Sequence, residues 1–121
     1  MIVSEVYTGD NLKSSRTNNE EFRFKPNDIV KHFKRETLND QGTNEYLYEI
    51  ITLNARSTDD YRRQVVYKAL YENSKNDIHY GDVFVRDYGE FMSKVDKDKY
   101  PDIKQEYRFE LYYRKGENNE T

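Results

Sequence analysis

The chain has two histidines, His32 and His79, and neither stands at helical or hairpin spacing from a second metal-ligand side chain. Structural zinc sites take four His or Cys ligands, and this chain has no cysteine. We therefore expect His32 to be a hydrogen-bonded side chain on a strand face and His79 to be a solvated loop residue. Asp96, Asp98 and Asp102 resemble part of a calcium loop, but the required glycine and distal glutamate are absent. The sequence predicts no metal and no other cofactor.

Motifs for covalent or phosphoryl chemistry are missing as well. The chain has no G-x-S-x-G, no H-E-x-x-H and no glycine-rich phosphate loop, and its five glycines are scattered singly. The 23 acidic residues could supply a catalytic carboxylate pair, but their spacing singles out no pair. We predict that the protein is not an enzyme and name no catalytic residue.

Tyrosine is the unusual feature of the composition. Twelve tyrosines and six phenylalanines in 121 residues exceed what a thin core can hide completely. Tyrosine and arginine are favoured at recognition surfaces, so we select Tyr67, Tyr71, Arg86 and Tyr88 as candidate binding residues. The alternative is structural: Tyr67 and Tyr71 fill the core with their hydroxyls at its rim, and Arg86 bridges loop carbonyls. The sequence leaves both interpretations open.

Charge and hydropathy limit the class of protein. Charged residues make up 36% of the chain, yet the net charge is only −3 and the signs alternate along most of it. This mixture argues against non-specific nucleic-acid binding and is compatible with a compact state. No signal peptide and no apolar run of membrane-spanning length occurs. We expect a soluble cytoplasmic protein without membrane contact.

The elements that would position these residues are predicted to be short strands. In segment 64–71, Val65, Tyr67, Ala69 and Tyr71 fall on one face of an extended chain, which marks it as the central strand. Segment 87–95 has apolar residues at helical spacing and is predicted to form a short helical turn running into a strand. The other predicted strands are 29–33, 46–55, 83–86 and 107–113, separated by long polar loops at 35–45 and 72–82. About five short strands with turn signals between them predict a mainly β fold, a small barrel or sandwich.

Several short motifs, in order, resemble one bacterial and phage family, domain of unknown function 1653. The motifs are His32-Phe33-Lys34, Tyr48-Glu49-Ile50, Val65 through Tyr71, Val85-Arg86, Phe91 through Val95 and Arg108-Phe109. The chain departs from the family pattern where Asp87-Tyr88 replaces the usual Pro-Leu. The resemblance implies an SH3-like β-barrel with no known activity, and its members are often encoded on phages and other mobile elements.

From these patterns we divide the chain into an N-terminal extension and linker (1–27), an SH3-like barrel domain (28–113) and a disordered tail (114–121). Within the extension, Phe22 and Phe24 precede Pro26 and predict a short arm packed on the domain edge. The predicted function is a non-catalytic protein-binding module whose partner is a bacterial host protein. One version is a phage or mobile-element inhibitor of a defence protein, similar to an anti-CRISPR. The alternative is a nucleic-acid-binding module that stacks bases on aromatic side chains. The oligomeric state stays open.

Overall fold

The computed structural model describes residues 23–116, which form one five-stranded antiparallel sheet. The strands are β1 (Ile29–His32), β2 (Leu47–Arg56), β3 (Arg63–Ala69), β4 (Val83–Asp87) and β5 (Phe109–Tyr113). Their order across the sheet is β4-β3-β2-β1-β5, and each neighbouring pair is antiparallel. The prediction of a mainly β fold with five strands is confirmed.

The sheet is open and does not close into the predicted barrel. Its two edges are β4 and β5, and no ladder joins them. Between these strands the chain passes through α1 (Tyr88–Phe91) and a loop, in which a single bridge pairs Lys94 with Tyr107. This connection covers one face of the sheet without bringing the two edge strands within pairing distance.

The core lies on the face predicted from the central strand. Val65, Tyr67 and Ala69 are all buried, because alternate residues of a strand point to the same side of the sheet. Phe91 of α1 stacks on Phe109 of β5 with ring centroids 4.0 Å apart and planes 8° from parallel. This ring pair attaches the helical connection to the sheet.

The β2 strand departs from simple alternation. Leu47, Tyr48 and Ile50 are buried, whereas Ile51 is 42% exposed. The pairing register with β3 shifts between Ile50 and Thr52, as expected for a β-bulge. Because of this shift, Tyr48 and Ile50 face the core before the bulge, and Leu53 packs against the same core after it.

Short helical segments account for the rest of the regular structure. The predicted helical turn is α1, and its N-cap is Asp87, whose carboxylate accepts a hydrogen bond from the Gly89 N–H at 3.1 Å. Residues 23–116 also contain two 3₁₀ helices within segments predicted as a strand end and loops, Phe33–Thr37 and Ser74–Asn76. No helix among residues 23–116 is long and apolar enough to cross a membrane.

Residues 23–28, just before β1, contact the core. Phe24 is buried and meets Phe91 edge-on at 6.0 Å. Asp28, which is 2% exposed, accepts two hydrogen bonds from the Arg114 guanidinium at 2.9 and 2.7 Å. This ion pair links the residue before β1 to the residue after β5. Phe22, the predicted linker and the end of the predicted tail lie outside the described residues.

Candidate binding site

Two adjoining recesses open beside the end of β1. The first, here called the basic recess, has a volume of about 270 Å³. The second, the tyrosine recess, has a volume of about 240 Å³. His32, Lys34 and Arg86 line both recesses, so the two adjoin, and together they are called the groove. The basic recess is completed by Phe33, Val95, Asp96, Lys99, Tyr100 and Arg108, and the tyrosine recess by Tyr46, Tyr48, Tyr67, Tyr71, Asn76, Ile78 and Phe109.

His32 lies where the two recesses meet. It is the last residue of β1 and the N-cap of the 3₁₀ helix, and its Nδ1 accepts a hydrogen bond from the Lys34 N–H at 3.1 Å. The side chain is therefore hydrogen bonded on a strand, as predicted. An imidazole that accepts through Nδ1 carries its proton on Nε2. No partner for Nε2 occurs among the described residues, in which every fully buried side-chain nitrogen or oxygen has one, so Nε2 must reach the open space of the groove.

The surroundings keep His32 neutral. Its ring is 8% exposed and packs against Phe33 and Phe109, with centroids 4.4 and 5.1 Å away. Burial first, and then the positive charges of Arg86, Arg108 and Lys34, lower the pKa of His32 to about 3. At neutral pH the groove thus holds an uncharged N–H donor between cationic side chains.

Arg86 enters the groove from β4, where it is half-buried. Its Nε donates a hydrogen bond to the Tyr67 hydroxyl at 3.2 Å. Its Nη1 lies 3.5 Å from a carboxylate oxygen of Glu90, which belongs to α1. These two contacts hold the guanidinium over the sheet. The structural alternative, in which Arg86 bridges loop carbonyls, is therefore wrong for this residue. The buried arginine that does bridge loop carbonyls is Arg35, which donates to Glu45 and Gln41.

Arg108, the residue just before β5, also lines the basic recess. Its Nε donates to the Glu90 carbonyl at 3.1 Å and to the Ser93 hydroxyl at 3.2 Å. Its terminal amino groups make no hydrogen bond within residues 23–116. The guanidinium is thus held at one nitrogen and leaves its two terminal amino groups available.

The charge of the basic recess is strongly one-signed. Among the described residues, its lining has one carboxylate, that of Asp96, and four cationic side chains, those of Lys34, Arg86, Lys99 and Arg108. One oxygen of this carboxylate accepts hydrogen bonds from the backbone N–H groups of Asp98, at 3.0 Å, and Lys99, at 3.3 Å. Part of the negative charge that Asp96 brings to the lining is therefore used by hydrogen bonds within its own loop.

The tyrosine recess contains hydrogen-bonded tyrosine hydroxyl groups. The hydroxyls of Tyr48 and Tyr71 are 2.7 Å apart and hydrogen bonded. Burial is the largest cause that raises the pKa of both phenols, with the neighbouring hydroxyl a further cause for Tyr48. Burial also raises the pKa of Tyr46. These phenols stay protonated at neutral pH and can donate hydrogen bonds without adding charge.

Three of the four predicted binding residues come together in this groove. Tyr67, Tyr71 and Arg86 line the tyrosine recess, although the two tyrosines are only 4% and 6% exposed. Tyr88 lies elsewhere: its ring is 3.7 Å from the guanidinium carbon of Arg63 and packs against the core. It lines neither recess. That these residues bind a partner stays a prediction.

Sequence reasoning missed the cationic part of the groove, which comprises Lys34, Lys99 and Arg108. Lys34 and Arg108 belong to motifs of the family resemblance, His32-Phe33-Lys34 and Arg108-Phe109, and this was the only available signal for them. Lys99 stands in an alternating charge run that gives no such signal. Among the described residues, no group of three or more His, Asp or Glu side chains could hold a metal ion.

Comparison with known proteins identifies a family. A family model described as a protein of unknown function, DUF1653, matches residues 28–111. The match includes β1 to β4 and the first three residues of β5. The resemblance inferred from the short motifs is thereby confirmed. No curated protein and no solved structure matches the chain.

Proposed function

The chain belongs to the DUF1653 family of proteins of unknown function, and we propose that it is a non-catalytic binding module for an extended acidic segment of a partner protein. The segment would lie in the groove formed by the basic and tyrosine recesses. The observation that carries this proposal is the lining of the basic recess by four cationic side chains and one carboxylate.

The positive charge of the basic recess is significant because the chain as a whole is slightly acidic. The whole chain has 23 acidic and 20 basic residues and a net charge of −3. A cationic groove on such a chain attracts anionic ligands locally while the protein as a whole repels them. Complementary charge of this kind favours the right partner and its orientation more than it adds raw affinity.

The tyrosine recess suits a polypeptide. Its hydroxyls, those of Tyr48, Tyr67 and Tyr71, offer hydrogen bonds to the backbone groups that an extended segment exposes. Tyr46 and Ile78 are only partly buried and offer apolar contact beside them. A ligand with an acidic side chain in one recess and its backbone in the other would use both halves.

A binding role also agrees better with the groove than catalysis does. A general base works best when its pKa is near the working pH. The pKa of His32, at about 3, leaves it a very weak base at neutral pH. The nearby phenols, with raised pKa values, are poor sources of a nucleophilic phenolate.

Nucleic-acid binding is the second candidate, because cationic side chains also bind phosphates. The predicted mode of nucleic-acid binding is base stacking, which needs an exposed aromatic face. Tyr67 and Tyr71 lie almost wholly inside the core and have no free face to offer. The protein-binding proposal therefore ranks first. Inhibition of a bacterial defence protein stays a prediction from the family resemblance.

A displayed library of random twelve-residue peptides tests the proposal. We expect the wild-type protein to enrich sequences with two or more acidic residues. The exposed lysines of the groove allow a variant with little effect on folding, Lys34→Glu combined with Lys99→Glu, which should lose this enrichment. Arg56→Gln is the matched control, because Arg56 is exposed at the far end of β2 and lines neither recess.

Two results would overturn the proposal. One is the absence of any enriched peptide family. The other is enrichment that the lysine variant retains in full, since the ligand would then bind elsewhere. Binding of single-stranded oligonucleotides that falls steeply with salt, without peptide enrichment, would favour the second candidate.

A further inference from the structure

The donors of the basic recess exceed what one carboxylate can use. Lys34, Lys99, Arg86 and Arg108 supply positive charge, and His32 supplies an uncharged N–H. A carboxylate has two oxygens and one negative charge. A phosphate monoester has three terminal oxygens and a charge of about −1.5 to −2 at neutral pH. Of the two groups, the phosphate matches the recess better in both charge and number of acceptors.

The buried imidazole is the most specific of these donors. His32 is more than nine-tenths buried, and its Nδ1 is occupied by the backbone N–H of Lys34. Its Nε2–H is the remaining polar group and has no partner among the described residues. A neutral N–H held between cations is a fixed hydrogen-bond donor whose direction does not depend on a flexible chain.

The two arginines are oriented by contacts behind them. Arg108 is held through Nε by the Glu90 carbonyl and the Ser93 hydroxyl, and Arg86 through Nε by the Tyr67 hydroxyl. Both guanidinium groups belong to the lining of the basic recess, and the Nη1 of Arg86 also lies 3.5 Å from Glu90. Arginine is the residue best suited to paired hydrogen bonds with phosphate oxygens.

Two carboxylates oppose this charge only in part. Asp96 lines the recess, and one of its oxygens already accepts two backbone N–H groups. Glu90 lies 3.5 Å from Arg86, but its side chain is half-exposed and can move into solvent. The volume of about 270 Å³ is several times the ~30 Å³ that one water molecule occupies in the liquid, so a tetrahedral group fits.

We propose that the basic recess binds the phosphate monoester of a phosphorylated side chain, in the segment whose backbone occupies the tyrosine recess. This inference rests on the proposed function, because it names the chemical group at one end of the same groove. Lys34, Arg86 and Arg108 would hold the phosphate oxygens electrostatically, and the Nε2–H of His32 would donate to one of them. Lys99 would close the outer side.

The experiment compares three forms of one peptide selected from the library, with serine, glutamate or phosphoserine at the key acidic position. Affinities are measured by fluorescence anisotropy at fixed ionic strength. We expect phosphoserine to bind at least about tenfold more tightly than glutamate, which is roughly the effect of one added charge-assisted hydrogen bond. The double variant Lys34→Gln with Lys99→Gln should weaken phosphopeptide binding roughly fivefold to twentyfold. Arg56→Gln should leave it unchanged.

Inorganic phosphate provides a second, independent readout. Titrated into the protein, it should shift the imidazole NMR signals of His32 and leave those of the exposed His79 in place. Equal affinity for the glutamate and phosphoserine peptides, or no response of His32 to phosphate, would overturn the inference while leaving the acidic-segment proposal intact. A response of His32 to phosphate without binding of any peptide would support the phosphate site and overturn the proposed function.

Discussion

Acidification should destabilise the folded protein through His32. Burial, followed by the charges of Arg86, Arg108 and Lys34, lowers the pKa of this imidazole from 6.5 to about 3. Between these two pH values the unfolded chain binds a proton at His32 that the folded chain does not bind. The free energy of unfolding therefore falls as the pH decreases through 6.5, and it continues to fall until the pH approaches 3.

The magnitude follows from the same two values. Each pH unit below 6.5 removes about 1.4 kcal/mol, since that is the free energy of one pKa unit. At pH 5 the contribution of His32 is a loss of about 2 kcal/mol relative to pH 8. For a domain whose total stability is of the order of 5–15 kcal/mol, this loss is easily measured.

The measurement is urea unfolding at pH 8 and pH 5 for the wild type and for His32→Asn. Asparagine is a good N-cap and can accept the Lys34 N–H hydrogen bond in place of Nδ1, but it does not titrate. We expect this variant to be less stable at pH 8, because it loses ring contacts with Phe33 and Phe109, and to lose about 2 kcal/mol less than the wild type on going to pH 5.

Both proteins contain the same carboxylates, so the contribution of these groups cancels when the two losses of unfolding free energy are subtracted. Arg56→Gln serves as the control, since Arg56 is exposed and lines neither recess. Equal losses of stability in the wild type and in His32→Asn between pH 8 and pH 5 would refute the argument. So would an NMR titration that gives His32 in the folded protein a pKa near 6.5.

Three further substitutions test the contacts that hold the groove and its frame, each by urea unfolding at pH 7. Arg114→Gln should cost about 3–5 kcal/mol, because it leaves the carboxylate of Asp28 buried without its ion partner; a loss below 1 kcal/mol would contradict this. Tyr71→Phe should cost about 1–3 kcal/mol by leaving the Tyr48 hydroxyl without its partner, and an unchanged midpoint would show that water replaces it. Phe91→Ala should cost about 3–5 kcal/mol through the cavity left against the sheet, and a smaller loss would mean that the helical connection collapses to fill it.

The strands could be predicted because local pattern and burial agree in them. In β3, Val65, Tyr67 and Ala69 alternate with half-exposed residues, and all three are buried. The single-turn helix α1 was also foreseen, because Phe91 and Met92 bury against the sheet at the spacing its short apolar pattern indicates. In these segments the spacing of apolar residues in the sequence matches the spacing of the side chains that face the core.

Closure of the sheet and the details of its strands could not be predicted in the same way. Whether β4 pairs with β5 depends on the distance at which the connection between them holds the two edge strands. No local sequence pattern determines that distance. The bulge in β2 reverses the alternation, so that Leu53 packs against the same core as Tyr48 and Ile50. The 3₁₀ helix that begins at Phe33 depends on a side-chain cap by His32, which a single strand-like histidine does not reveal.

The groove shows how a sequence with nearly equal numbers of acidic and basic residues can produce a locally cationic surface. Each cation of the basic recess has an acidic residue within a few positions along the chain, so the sequence reads as a neutral mixture. In the fold, the carboxylate of Glu36 instead accepts the backbone N–H groups of Lys104 and Gln105, at 2.8 and 2.7 Å. That of Asp87 caps α1 and pairs with Arg62. Because these acidic side chains are used as structural acceptors away from the recess, the nearby cations converge there without them, and the local positive charge follows from the folding of the backbone.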